Sequence, residues 1–391
     1  MFIDYTPEQK KLQSSLQSYL RELITDDVMD EVRDTDGGGP LYMQTMAQLG
    51  EDGWLGIGWP KEYGGQDRPA IEQFIFYDEI QRAGFPLPFL TLLSVGPTLM
   101  KYGSEEQKKE ILPKILAGKC HFAIGYTEPE AGTDLASLKT KAVLDGDHYV
   151  VNGQKIFTSQ AEYADYIWLA VRTDPDAPKH KGISMLIVDR NAPGVSITPI
   201  KTLASHRTNT TYYEDVRVPA SMLVAGEGRG WKLITNQLNH ERIALVTPGP
   251  VKRFVDETIE WAENTTLPDG RRVIDQEWVQ VNLAKALTKV EAVRLFSWRQ
   301  ACHIDQERLN PAEASTVKVF GSESFVDIYS LLLEVIGPQG ALKRGSAGAF
   351  IRGRMEQFYR ATLVLTFGGG VNEVQRDIIC MAGLGMPRAQ R

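Results

Sequence analysis

The spacing of apolar residues changes twice along this chain, and that change most constrains the fold. Leu12, Leu16 and Leu20 recur every fourth position, and Thr45 to Leu55 repeats the pattern more weakly, the spacing of one buried helix face. In the middle the apolar runs become short. Tyr149-Val150-Val151 and Lys155-Ile156-Phe157 flank Asn152-Gly153, and Tyr166 to Val171, Ile183 to Val188 and Val195 to Ile200 follow, with Pro, Gly and Asp between them. Asn-Gly between two such runs predicts a tight hairpin. Short strands at this spacing predict an antiparallel barrel or sandwich of roughly one hundred residues, closed by Val216-Arg217-Val218-Pro219. Helical spacing returns near Trp231. Leu283, Leu287, Val290 and Val293 predict one buried face, and Phe325 to Val335 another, as in a helix bundle.

The expected fold class is therefore α+β: an N-terminal helical domain (1–118), a middle antiparallel β domain (119–226) and a C-terminal four-helix bundle (227–391). A length of 391 residues suits several packed domains better than one core. Thr6-Pro7-Glu8-Gln9 predicts a capped helix start, and Tyr102 to Gln107 a helix stop followed by a new cap at Ser104. Neither an internal repeat nor a low-complexity linker is evident.

Several chemistries are excluded. A net charge of -7 gives no general drive toward nucleic acid or an anionic membrane. The N-terminus lacks the pattern of a signal peptide, and no apolar run is long enough to span a bilayer. Cys120, Cys302 and Cys380 are odd in number and far apart, which predicts a reducing cytoplasm and buried, inert thiols. The nucleotide-binding glycine fingerprints, paired zinc-ligand spacings and the G-x-S-x-G elbow are all absent.

Three stretches remain. Gly125 to Asp134 reads GYTEPEAGTD, a proline-fixed turn whose small residues admit a ligand close to the backbone and whose hydroxyls and N–H groups can hold polar edges or phosphate. Asn239-His240-Glu241-Arg242 lies in a helical stretch, and Phe367-Gly368-Gly369-Gly370 in a turn near the C-terminus. Together they resemble the acyl-CoA dehydrogenases, and the resemblance covers nearly the whole chain. It implies FAD as cofactor, an acyl-CoA substrate and an electron-transfer flavoprotein as acceptor. By that resemblance Tyr126 and Thr127 meet the isoalloxazine, Gly132 and Thr133 the pyrophosphate end, Phe157 stacks on the ring and Ser159 reaches its N5 edge. Strand periodicity puts Phe157 and Ser159 on one face. Asn239 and Arg242 would hold the pantetheine arm, and Arg207 the CoA phosphates.

Family members place the catalytic base at one of two loci. Gly369 occupies the turn locus and carries no carboxylate; Glu241 occupies the helix locus. The resemblance thus makes Glu241 the base for the α-proton, while the Gly369 N–H can polarise the thioester carbonyl. The alternative for Glu241 is an exposed carboxylate paired with Arg242 or Lys232.

Two positions depart from the family pattern. Thr265 to Gly270 lacks the Arg that completes a neighbour's flavin site, and Glu334 with Pro338 stands where Gln and Gly are expected. A carboxylate there would repel a pyrophosphate. This half-site pattern, with the tail TFGGGVNEVQR, resembles the catalytic subunit of actinobacterial heterotetrameric steroid side-chain acyl-CoA dehydrogenases, implying a homologous partner subunit. Pro248-Gly249-Pro250 predicts a helix kink that either opens the acyl pocket to a ring-bearing substrate or is an ordinary bend. An acyl-CoA oxidase and a non-catalytic scaffold subunit are the alternative functions.

Overall fold

The computed structural model describes residues 3–35, 37–204, 207–240 and 246–387, with Asn236, Leu238, Asn239 and His240 described in backbone only. Six helices build the first third: α1 (Pro7–Leu23), α2 (Asp26–Thr35), α3 (Pro40–Glu51), α4 (Ala70–Ala83), α5 (Gly96–Tyr102) and α6 (Glu105–Leu116). Their ends follow local chemistry. Thr6 Oγ1 accepts the Gln9 N–H at 3.3 Å while the Gln9 side chain accepts the Thr6 N–H at 3.0 Å. Ser104 and Gln107 repeat that reciprocal cap at α6. The helices bury Leu16, Leu20, Met46, Leu49, Ile111 and Ile115 in one core.

Eight strands follow: β1 (Phe122–Gly125), β2 (Lys141–Asp145), β3 (His148–Lys155), β4 (Tyr166–Arg172), β5 (Ile183–Asp189), β6 (Val195–Lys201), β7 (Arg207–Pro219) and β8 (Leu223–Val224). The sheet runs β6-β7-β3-β2-β4-β5-β8, with β1 added on β4. Most pairings are antiparallel, but β1 and β2 each meet β4 in parallel. Alternation along β4 explains its continuous apolar run. Trp168 and Ala170 enter the helical core, while Ile167, Leu169 and Val171 enter a separate β core. A strand covered on both faces has no solvent side to mark with polar residues.

Helix α7 (Gly230–His240) leads back to helices and sends Leu233 and Ile234 into the first core. The C-terminal bundle comprises α8 (Gly249–Asn264), α9 (Glu277–Asp305) and α10 (Pro311–Ile336), with the shorter α11 (Arg354–Thr362) and α12 (Asn372–Ile378) against them. Its core includes Phe254, Leu283, Val290, Ile328 and Leu332. Among the described residues no helix is long and apolar enough to cross a membrane.

Local signals misled in four places. Asn152-Gly153 lies inside β3, at a register shift opposite β7, and the hairpin turn falls at Gly146 instead. Gly153 takes φ +149° because a Cβ there would come within 2.6 Å of Thr140 Oγ1, so close backbone approach, not a turn, demands the glycine. Pro248-Gly249-Pro250 kinks nothing: it starts α8, where a proline in the first turn loses no hydrogen bond. Leu287 is 38% exposed; the buried face runs through Val279, Leu283, Ala286, Val290 and Val293. Of the cysteines only Cys120 is buried, its thiol pushed up to about 12 by desolvation; Cys302 is exposed.

Asp78 of α4 caps α8 across the domain boundary, accepting the Gly249 N–H at 2.6 Å. Burial, with the neighbouring Glu79 charge, pushes its carboxyl up to about 7. The folded state therefore holds this proton over a range in which the unfolded carboxyl, with a pKa of about 4, is already ionised. Stability should fall as pH rises from about 4 to about 7, by at most about 1.4 kcal/mol per unit. Asp78→Asn keeps an acceptor toward Gly249 and should remove that slope. Thermal unfolding at a series of pH values checks this; identical slopes in both proteins would refute it.

Candidate active site

Strand β1 delivers the loop that begins at Tyr126. Gly125, its last residue, lies so close to β4 that a Cβ would meet Leu169 Cδ1 at 2.8 Å. Beneath the loop is a buried ion pair. Lys155 Nζ, with a fully buried side chain, donates to Glu128 Oε1 at 2.8 Å and to the Tyr126 carbonyl at 3.1 Å. Glu128 also accepts the N–H groups of Lys139 (2.6 Å) and Thr140 (2.8 Å). Burial pulls the Lys155 ammonium down to about 8 against the opposing pull of Glu128. Desolvation raises Glu128, but Lys155 and the hydrogen bonds outweigh it and leave the carboxylate below its ordinary value. One carboxylate therefore ties together both ends of the Tyr126–Thr140 loop and the end of β3.

The chain after β3 departs from expectation. The strand stops at Lys155, so Phe157 and Ser159 do not share a strand face. The Ile156 N–H donates to the Thr127 carbonyl at 2.8 Å, and Phe157 turns into the left-handed region at φ +61°, an uncommon state for a non-glycine residue. The residue is 60% exposed. Ser159 Oγ lies 3.1 Å from Thr208 Oγ1, and the buried Asn209 amide donates to the Thr158 carbonyl at 3.0 Å and to Glu162. Tyr126, Thr127, Phe157 and Ser159 thus cluster, held by β7. Gly132 and Thr133 lie on the exposed outer part of the loop, and Arg207 at the start of β7 is exposed.

On the other side stands α7. Gln237, almost fully buried, accepts a hydrogen bond from the Tyr126 hydroxyl, which also accepts from Trp168 Nε1 at 3.2 Å. Gln237 Nε2 is buried and has no partner among the described residues. Asn239 lies in the last turn of α7, its side chain outside the description. Glu241 and Arg242, the next residues after His240, lie outside the described residues.

Gly369 is held by a different element. It sits at φ +67°, and among the described residues no atom lies within 4 Å of where a Cβ would stand. Buried Lys318 of α10 donates to the Gly370 carbonyl and to Asn372 Oδ1, each at 2.6 Å. Desolvation lowers this ammonium to about 8 despite Glu373 and Glu323. The glycine turn is thus fastened to α10 in the middle of the bundle's sequence. Sequence reading missed Gln237, Lys155 and Lys318. Only Glu128, inside the quoted motif, carried any signal of these contacts.

At the two departures, Glu334 Oε2 accepts from Asn282 Nδ2 at 2.8 Å. Arg271 and Arg272, just past Gly270, are engaged with Asp269 and Asp275.

Residues 6–119, 123–216 and 228–384 match, in turn, the N-terminal, middle and C-terminal domains of acyl-CoA dehydrogenases. The chain belongs to the acyl-CoA dehydrogenase family. It shares 54% identity over 400 residues with acyl-CoA dehydrogenase FadE26 of Mycobacterium tuberculosis, and 50% over 398 residues with FadE29 of the same organism, all of each chain being covered. Among solved structures it superposes at TM-score 0.94 on a chain of the ChsE4–ChsE5 complex from Mycobacterium tuberculosis, with 54% identity and full coverage of both chains. A second, the Tcur3481–Tcur3483 steroid ACAD, matches at TM-score 0.94 with 48% identity, again over all of both chains. This acyl-CoA dehydrogenase is an oxidoreductase of a family that is generally flavin-dependent.

Proposed function

We propose that this chain is the catalytic subunit of a heterotetrameric, FAD-dependent dehydrogenase that converts a bulky, steroid-type acyl-CoA to its α,β-enoyl thioester. The observation that carries the reading is the contact between Gln237 and Tyr126, which pins the helix leading into Glu241 against the loop at the end of β1. Glu241 takes the α-proton; a carboxylate does this best when desolvated and matched to the working pH. The Gly369 N–H would donate to the thioester oxygen as negative charge develops there. Asn239 and Arg242 hold the pantetheine arm and Arg207 the CoA phosphates.

The residues present fit a flavin. Among the described residues, Phe157 is largely exposed, Gln237 Nε2 is a buried donor without a partner beside Tyr126, and Gly132 has nothing within 4 Å of its Cβ position. Tyr126, Thr127 and Ser159 would hold the isoalloxazine, and Gly132 and Thr133 the pyrophosphate. Bound FAD would supply the acceptor for the hydride leaving the β-carbon, with an electron-transfer flavoprotein downstream.

A partner subunit would complete the flavin site, since neither Glu334 nor the arginine-poor Thr265–Gly270 loop suits a neighbour's pyrophosphate. Supporting this, Trp278, Val281, Leu287 and Leu295 leave apolar side chains exposed along α9, and the relatives of known structure include a two-protein complex. Three unbridged cysteines support a cytoplasmic location.

Co-purification with the homologous partner, followed by anaerobic flavin bleaching against a panel of CoA thioesters, tests the proposal. Steroid-sized thioesters should bleach the flavin faster than octanoyl-CoA, and the chain expressed alone should carry little FAD. A clear octanoyl preference would remove the bulky-substrate reading, and full, stable FAD in the lone chain would remove the heteromer. Oxygen consumption during turnover would point to an oxidase.

A further inference from the structure

Successive glycines cannot hold a turn by themselves. Gly368, Gly369 and Gly370 carry no side chain to pack or to bond, and glycine loses more backbone freedom on ordering than any other residue. Gly369 and Gly370 both stand at positive φ, +67° and +100°. The shape of this turn must therefore be imposed from outside. On its upstream side the Val364 carbonyl accepts the N–H groups of Phe367 (3.1 Å) and Gly368 (2.6 Å).

The downstream side is held by one face of α10. Ser315, Lys318 and Ser322 follow at the spacing of helix neighbours, and all of them are buried. Ser315 Oγ donates to Gln375 Oε1 at 2.8 Å. Asn372 Nδ2 donates to Ser322 Oγ at 3.0 Å and to Glu323 Oε1 at 3.1 Å. Lys318 Nζ reaches the turn itself, through the Gly370 carbonyl, and the Asn372 amide oxygen beside it. Only 4% of Lys318 is exposed, and burying an ammonium is costly unless strong acceptors meet it. Charge-assisted hydrogen bonds are also stronger than neutral ones, so this ammonium stiffens a turn that glycine leaves loose.

We infer, resting on the dehydrogenase reading above, that Lys318 is a positioning residue: its grip on Gly370 and Asn372 holds the Gly369 N–H at the thioester oxygen. Lys318 acts through the turn, not on the reacting atoms. An oxyanion donor is effective only where it is already aimed at the place in which charge develops. A misplacement of about 1 Å, caused by a change away from the chemistry, can cost about 10²-fold in rate. The contact strengthens in the transition state, so its loss should fall on kcat and leave KM little changed.

The test uses the flavin-loaded complex with its partner. Lys318→Met keeps a long apolar stem without the ammonium, and Asn372→Ala removes one of the two acceptors that Lys318 grips. One reading is kcat from flavin bleaching with a substrate acyl-CoA. The other is the pH at which a bound 3-thia-acyl-CoA loses its α-proton. Sulfur replaces the β-carbon in that analogue, so the proton can leave but no hydride can follow. The enolate then shows as a long-wavelength charge-transfer band with oxidised flavin. Lys318→Met should lower kcat by about 10²-fold and raise the midpoint of the band by about one pH unit, tenfold in the α-proton equilibrium, at parental flavin content. Asn372→Ala should move both readings the same way by less, and it keeps the test open should Lys318→Met fail to assemble. A purely structural lysine would leave both readings unmoved in the folded, flavin-loaded fraction. Parental values in both variants, or a lowered kcat with the band unmoved, would overturn the inference. A parent complex that neither bleaches with any thioester nor forms the band would instead defeat the dehydrogenase reading, and this inference with it.

Discussion

Glu241→Gln should lower kcat by about 10²- to 10⁴-fold, the usual worth of a positioned general base, while flavin content stays as in the parent complex. The amide matches the carboxylate in size and still accepts a hydrogen bond, but it cannot take the α-proton. No carboxylate stands ready to replace it at the other family locus, because Gly369 occupies the turn. The loss should appear equally in kcat and kcat/KM, since the proton moves only in the transition state. Rapid-mixing flavin bleaching and bound-flavin absorbance measure the two quantities separately. Substantial residual turnover would favour a scaffold subunit, and flavin lost along with activity would indicate a structural role for Glu241.

The second large effect is on stability. Glu128→Gln should cost about 3–5 kcal/mol, as expected when one partner of a buried ion pair is removed. Lys155 then faces only neutral acceptors, the Tyr126 carbonyl and the substituted amide oxygen, with its side chain fully buried. Two consequences compete: the lysine remains charged at a high desolvation cost, or it sheds its proton. Burial already draws it down to about 8, so without Glu128 the neutral form should win near neutral pH and limit the damage. The lower end of the range is therefore expected. The loop from Tyr126 to Thr140 also loses one of the two acceptors that tether it, so FAD should be retained less well. Denaturant unfolding of the complex checks the first effect and flavin release the second. A cost below about 1 kcal/mol would reduce the pair to the worth of a surface ion pair.

The parts of the fold legible in sequence are those whose causes are local. Thr6 and Ser104 cap helices because a hydroxyl and a glutamine three residues later can reach each other's backbone without help from elsewhere. Asn152-Gly153 misled because a glycine serves equally for a turn or for close approach, and only Thr140, across the sheet, decides between them. Phe157 misled for a similar reason: period two continues on paper, but the Ile156 N–H is taken by Thr127 and the chain turns away. Leu287 looks like core by spacing, and its exposure depends on which helices pack against α9.

Sequence by itself determined the order of helical, β and helical regions, and the identities of the motif residues from Tyr126 to Gly369, because period and motif are properties of neighbours along the chain. Tertiary structure alone decided where charge goes underground: Lys155 beneath Tyr126 and Lys318 beneath Gly370. The physical reason is that desolvation is set by atoms distant in sequence, so a polar residue reads the same on paper whether water or a buried carboxylate stands beside it.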